Sequence, residues 1–404
     1  MEIIFLLKIL AVFTSLIVLI RLKLKIGYTF LATTGVFMLL FFYGWGSMAK
    51  TVYNSLTCWE TWRLLLSVYF ILTIGEIMEV TGNVKSFIHS IVHGLRNKRL
   101  SAIFLPAFIG LIPMPGGALF SAPMVKNILD DRETKPYMFT YFNYWYRHIW
   151  EYFWPMYPGI ILISSIFNVK IFDIVVHQWY FTFVAIFVGY LFTRKIKFKD
   201  YKIKKGKYFK RFLKSSWFVF FIIILLLGFR IDIVIVLIAT LLIYIAIYSD
   251  VRKNILKIGR RSFDFNTALL LIGIMIFKMA IKDSGFLTHL GDIGNYSRLM
   301  QYGLLIFLPF IMGIMTGITV GFVGITFPLL STIIIQNGVV NFHLLALSFV
   351  SGFAGVLLSP FHLCLVLTKE YFKAKFVNIY KVLLPSVSLL YILSIAIIYI
   401  SSIL

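Results

Sequence analysis

Apolar runs of membrane-spanning length, separated by short basic segments, recur from one end of the chain to the other. A hydrocarbon core of ~30 Å needs about 20 helical residues at 1.5 Å each. Spans of this kind are predicted at residues 2–20, 27–48, 59–81, 138–165, 175–193, 212–228, 231–249, 264–284, 341–368 and 378–402. The first lacks a basic leader and a small-x-small cleavage site, so it reads as a retained helix. One apolar stretch breaks the pattern. Residues 105–125, LPAFIGLIPMPGGALFSAPMV, carry Pro106, Pro113, Pro115 and Pro123 and the pair Gly116–Gly117. Each proline removes a backbone donor and clashes with the preceding turn, so PMPGG cannot be continuous helix. A helical half over 101–112 covers roughly 17 Å, about half a hydrocarbon core. The stretch is predicted to enter the membrane, turn at 113–117 and leave on the same side. Irregular backbone at membrane depth survives only inside protein or beside a water-filled cavity, which makes this turn a candidate binding site.

The punctuation repeats. Gly82 to Pro106 and Gly285 to Pro309 are both 24 residues, Pro106 to Gly110 and Pro309 to Gly313 both four, and Pro123 to Pro155 and Pro328 to Pro360 both 32. The offset is 203 before the hairpin tip and 205 after it. Three spacings in one order predict an internal duplication. Each repeat holds five crossings and one hairpin, and an odd number of crossings inverts the second repeat relative to the first. The predicted fold is an all-α polytopic membrane protein of two inverted repeats of five transmembrane helices. Each repeat has a re-entrant hairpin and a broken helix. Repeat 1 covers 1–193 with its hairpin at about 101–126. A basic linker covers 194–214, and repeat 2 covers 215–404 with its hairpin at about 301–335.

Charge tests the topology. With the N-terminus outside, the inner connections hold thirty Lys and Arg and the outer ones five. That asymmetry places the linker in the cytoplasm and the protein in the cytoplasmic membrane, multi-pass. The net charge of +23 is therefore topogenic and faces acidic lipids, so the bilayer and not nucleic acid is the expected partner. Sixty per cent hydrophobic residues and a mean hydropathy of +0.92 exclude a soluble domain. Cys58 and Cys364 have neither disulfide nor metal-site spacing.

The second hairpin carries Gly313, Gly317 and Gly321, a GxxxGxxxG pattern that in isolation marks helix packing. Its match to the first hairpin makes it a second re-entrant turn, with the hydroxyls of Thr316 and Thr319 at the tip as ligands. Both helices that follow the hairpins are interrupted, one at Pro155–Pro158–Gly159 and one at Ser359–Pro360. Such breaks expose unpaired N–H and C=O groups near the midplane. Arg147, His148 and Glu151 lie one or two turns before the first break and are functional candidates, although an Arg147–Glu151 pair could simply neutralise itself. His148 and Glu151 are half of a metal-ligand pattern with no third ligand beside them. Lys278, Glu76 and Glu79 read as snorkelling near helix ends, and His343 and His362 as packing or interfacial residues. The aromatic cluster Tyr141, Tyr144, Trp145, Tyr146, Trp150, Tyr152 and Trp154 reads as a helix with one face on something polar.

Two repeats with hairpins and broken helices resemble the ion transporter superfamily of secondary carriers. The strings LIPMPGGALFSAPMV and SGFAGVLLSPFHLCLVLTKEYF resemble an uncharacterised bacterial and archaeal family of integral membrane proteins related to the gluconate permeases. The resemblance covers nearly the whole chain. It implies a homodimer with a fixed scaffold domain and an elevator-like transport domain carrying both hairpins. It also implies a solute site between the tips and the breaks. By position, that site takes Pro113, Pro115, Gly116, Gly117 and Ser121 from the first tip, and Thr316, Gly317, Thr319 and Gly321 from the second. Pro155, Ser359 and Pro360 at the breaks and Arg147 complete it. Sodium-coupled dicarboxylate relatives carry Ser-Asn-Thr at their tips, whereas the first tip here has no Asn, Asp or Thr.

The sequence thus predicts a secondary active transporter of a small organic anion, a carboxylate or sugar acid. A proton or sodium gradient would drive it, with Thr316, Thr319 and Glu151 as coupling-ion candidates and no cofactor or metal. The alternatives are a membrane-embedded enzyme using His148 and Glu151, or a channel or lipid-handling protein. No nucleophile motif, HExxH or phosphate loop supports an enzyme.

Overall fold

In a computed structural model, the described residues are 2–42, 44–94, 97–112, 117–129, 134–198, 208–286 and 297–403. The first-tip residues Pro113, Pro115 and Gly116 lie outside them, as do residues 199–207 of the predicted linker. The chain is almost wholly helical. Its first half runs α1 (Glu2–Arg21), α2 (Ile26–Phe41), α3 (Trp45–Thr57), α4 (Trp59–Val80), α5 (Asn83–Gly94), α6 (Lys98–Leu111), α7 (Gly117–Ile128), α8 (Pro136–Arg147), α9 (Pro158–Phe167), α10 (Ile171–Gln178) and α11 (Tyr180–Thr193). The second half runs α12 (Tyr208–Ile223, closing in a π-helical turn), α13 (Ile233–Ile247), α14 (Ser249–Ser262), α15 (Phe265–Asp283), α16 (Arg298–Thr316), α17 (Thr319–Ile334), α18 (Phe342–Leu358), α19 (Leu363–Tyr371) and α20 (Phe376–Ile403).

Among the described residues, six helical segments are long and apolar enough to cross a membrane. They are Ile171–Thr193, Tyr208–Gly228, Phe265–Asp283, Arg298–Thr316, Phe342–Tyr371 and Phe376–Ile403. A seventh arises if α4 and α5, bent by 72° to each other, count as one. The protein is therefore a helical, multi-span membrane protein by length and composition.

Helix starts follow capping chemistry. The side chains of Asn97, Asp232, Asp264 and Asn341 accept from the first free N–H groups of α6, α13, α15 and α18. Several ends depart from the hydrophobic pattern. The span predicted at 27–48 stops at Phe41, because Phe42 is extended and Gly44 takes φ 114°; a separate, amphipathic α3 follows. Helix α12 begins at Tyr208, inside the predicted 194–214 linker, since aromatic residues interleave with the lysines there. At residues 335–340, Asn337 and Gly338 take positive φ and close a two-residue β-hairpin that joins α17 to α18.

The packing has a paired character. Helix α6 packs on α7 and α8, as α16 does on α17 and α18. Helix α17 packs on α9, as α7 does on α19. Helix α2 contacts α15, as α13 contacts α4. The backbone repeats as well. Gly82 and Gly285, 203 apart, take φ 69° and 70°, each after a residue at φ −76°. Asn168 and Lys373, 205 apart, take φ 53° and 54°.

Candidate functional site at the junction of two helix breaks

The chain leaves helical geometry after Arg147 and regains it at Pro158, so the first interruption spans residues 148–157. It begins well before Pro155, and His148 and Glu151 lie inside the break, not ahead of it as the sequence predicts. The reason is mainly tertiary. His148 caps α8, with its N–H bonding back to the Trp145 carbonyl, and the irregular chain that follows gives its aromatic side chains to other elements. The second interruption, at Ser359–His362, is where Ser359 and Pro360 place it.

Each break holds the end of the helix that leads into its own hairpin. Trp154 Nε1 donates to the Leu111 carbonyl at 2.9 Å, and the Tyr157 hydroxyl donates to Gly110. In the second half, Ser359 Oγ donates to the Ile314 carbonyl at 2.6 Å, and His362 Nδ1 lies 2.7 Å from the Gly317 carbonyl. These are carbonyls at helix C-termini, which have no intrahelical partner. Leu111 and Ile314 are 203 apart, and Trp154 and Ser359 are 205 apart, the two offsets of the sequence repeat.

Close backbone approach follows the same register. A Cβ on Gly110 would lie 2.1 Å from the Arg147 carbonyl oxygen, and one on Gly313 would lie 2.1 Å from that of Gly352. Only glycine fits at either place. The second tip turns at Gly317, which takes φ 64°.

The two breaks meet, and where they meet is polar and closed. Arg147, His148, Glu151 and His362 are buried among apolar and aromatic side chains. His148 Nε2 is 2.9 Å from His362 Nε2, across 214 residues of sequence. His148 Nδ1 faces the Tyr144 carbonyl at 2.6 Å. Glu151 Oε2 accepts from Thr319 Oγ1 at 3.0 Å, while its Oε1 lies 3.7 Å from His148 Nε2. Cys364, in the first turn of α19, adds its sulfur to the two imidazoles, with the ligand atoms of all three residues within 4.8 Å of one another. The Arg147 guanidinium lies against Gly117, the first residue of α7, with the Cys364 sulfur in its field.

The sequence-predicted site residues that the structure describes take unequal roles. Gly117, Arg147, Glu151, Gly317 and Thr319 reach the cluster directly. Pro155 is buried in the first break, and Ser359 serves the Ile314 carbonyl. Ser121 and Thr316 spend their hydroxyls on carbonyls of their own helices, those of Ala118 and Met312. Gly321 packs under Thr316, and Pro360 is exposed at the edge of the second break. Arg147 and Glu151 are not one helical turn apart as the i,i+4 alternative requires, since α8 ends between them.

His362 and Cys364 are the residues that sequence reasoning passed over. The matched spacing offers the signal, because an offset of 205 aligns them with Tyr157 and Gly159 at the first break. Tyr141, Trp145 and Tyr146 do not face a polar space either. They are buried, and their polar atoms bond to Ser386, the Ala185 carbonyl and Thr193. Lys278 reaches inward to the Ser165 carbonyl at 2.6 Å, near the end of α9, instead of snorkelling.

No curated protein matches the chain. The profile of one family does, over residues 6–401, which is nearly the entire length. The chain belongs to the DUF401 family, proteins of unknown function.

Proposed function

We propose that the protein is a secondary active transporter that carries a small organic anion, a carboxylate or sugar acid, coupled to a proton or sodium ion. The observation that carries this reading is the meeting of two helix breaks at one buried polar cluster, each break anchoring the hairpin before it. Discontinuous helices that converge in the interior are how carriers build solute and ion sites near the bilayer midplane. The matched backbone angles, glycine contacts and carbonyl bonds at offsets of 203 and 205 support descent from a duplicated unit. With an odd number of crossings in each unit, the two would be inverted, and α6–α7 and α16–α17 would be re-entrant. Helix α16, at 19 residues, is long enough to reach further across than α6. The likeness to the ion transporter superfamily and the gluconate permeases belongs to the same proposal, as do a homodimer and elevator-type motion. Arg147 supplies the positive charge that an anion needs, beside the N-terminus of α7.

Thermal stability in detergent tests the substrate class. Purified protein is heated with small carboxylates and sugar acids, in sodium or choline, at two pH values. A ligand at 100 times its dissociation constant adds about 2.7 kcal/mol to the folded state. A shift confined to one class of anion, and lost in Arg147→Lys, is the expected result. Lysine keeps the charge but not the planar fork that fits a carboxylate. A flat panel with folded protein would remove the small-anion assignment.

A further inference from the structure

The hydrogen bonds around the two central histidines leave a contradiction that a bound cation resolves. The carbonyl oxygens of Tyr144 and Gly317 can only accept, so the Nδ1 atoms of His148 and His362, 2.6 and 2.7 Å away, carry the protons. In neutral rings each Nε2 is then a bare acceptor. Yet these two nitrogens face each other at 2.9 Å. Lone pairs so placed repel unless something positive lies between them. A backbone carbonyl holding the far nitrogen is also the outer-shell arrangement that orients metal-binding histidines.

The third corner is the Cys364 sulfur, within 4.8 Å of a ring nitrogen of each histidine. A fourth donor stands beside them: Glu151 Oε1, 3.7 Å from His148 Nε2, with the other carboxylate oxygen held by Thr319. Metal–nitrogen distances of ~2.0–2.1 Å and metal–sulfur distances of ~2.3 Å place the ligand atoms of a tetrahedral site about 3.3–3.6 Å apart. The His148–His362 and His148–Glu151 contacts need shifts of only tenths of an ångström, and the Cys364 sulfur needs to close in by roughly an ångström.

We infer that His148, His362 and Cys364, with Glu151 as fourth ligand, form a site for one thiophilic transition-metal ion of the zinc class, joining the two helix breaks. Imidazole and thiolate together select such an ion over magnesium, calcium or sodium. The Arg147 guanidinium then offsets the charge of the thiolate. A divalent ion with one thiolate, one carboxylate and the Arg147 guanidinium leaves a net charge of about +1, which suits an anionic solute. The sequence, with Cys364 far from His148, predicts no metal; the inference stands apart from the carrier reading, because binding is measured without transport.

The full-length protein, purified in detergent and stripped with a chelator, is titrated with Co2+. One ion per chain is expected, with tetrahedral visible bands and a thiolate-to-cobalt charge-transfer band, both bleached by one equivalent of Zn2+. Cys58→Ser keeps the charge-transfer band and Cys364→Ser loses it. His362→Gln weakens binding by more than about 100-fold, beyond the ~10–100-fold that loss of an outer-shell partner costs. A second measurement needs no variant. In the wild-type protein, Zn2+ shields Cys364 from maleimide, read by peptide mass against Cys58. Absence of the band, its survival in Cys364→Ser, or equal labelling of Cys364 with and without Zn2+ overturns the site; a proton shared by the two histidines would then satisfy the lone pairs. Metal binding beside a flat anion panel would sink the anion assignment and leave the metal standing.

Discussion

Two glycines set how closely each hairpin seats on the helix break behind it. The hydrogen that stands for a side chain at Gly110 and Gly313 faces a backbone carbonyl, which cannot rotate away as a side chain would. Gly110→Ala and Gly313→Ala should each destabilise the protein by about 1–3 kcal/mol, the usual cost of overpacking. Gly303, in the same helix as Gly313, has nothing within 4 Å of the place a methyl group would take, so Gly303→Ala should be neutral or stabilising by up to ~1 kcal/mol. Apparent melting temperatures of the three variants in one detergent check the contrast. Equal melting points for all three would remove the argument that close approach is required. At this scale the sequence is partly legible. Matched spacing singles out Gly110 and Gly313 without saying what they touch. His362 and Cys364 look ordinary, because their meaning depends on His148, 214 residues away from His362.

Among elements, the interruptions matter more than the helices they separate. The apolar pattern locates spans because burial in lipid selects composition over about 20 residues. It cannot locate the end of α8 at Arg147, since residues 148–157 are as aromatic as the helix before them. What ends that helix is tertiary, with side chains of the break satisfying carbonyls of α6. Prolines mark only the re-entry into helix at Pro158, a position where the missing donor costs nothing. Trp154→Phe keeps the ring but leaves the Leu111 carbonyl unpaired, and Ser359→Ala does the same to Ile314. An unsatisfied buried acceptor costs about 1–3 kcal/mol. Both variants should therefore lose stability of that order, measured by thermal unfolding, despite sitting in different halves. Loss in only one of them would show that the paired geometry is not paired in energy. The tie between Arg63 and Asp232, at 2.6 Å, is of another kind. Asp232 caps α13 and holds Arg63 on α4, so Asp232→Asn should preserve the cap and cost less than Asp232→Ala, by about 1 kcal/mol.

For the whole molecule, the decisive unknown is which way each half faces. The charge pattern answers with thirty cationic side chains in one set of connections and five in the other. Cytoplasmic retention of Lys and Arg sets orientation chiefly through short loops, and these connections are short. Lys257 lies on α14, in the basic set, and Lys170 lies between α9 and α10, in the sparse set; both are exposed. If the repeats are inverted, the two positions sit on opposite sides, although each follows a span of its own half. In a Cys58→Ser background, Lys170→Cys should react with a membrane-impermeant maleimide in intact cells. Lys257→Cys should react only after permeabilisation. The native Cys364 is present in both, and its own labelling is subtracted with the Cys58→Ser parent. Labelling of both residues from the same side would break the inverted arrangement and, with it, the strongest physical reason to expect alternating access. Labelling from opposite sides would place the helix breaks between two antiparallel halves. There a buried cluster of charge can be exposed to either side in turn without ever crossing lipid.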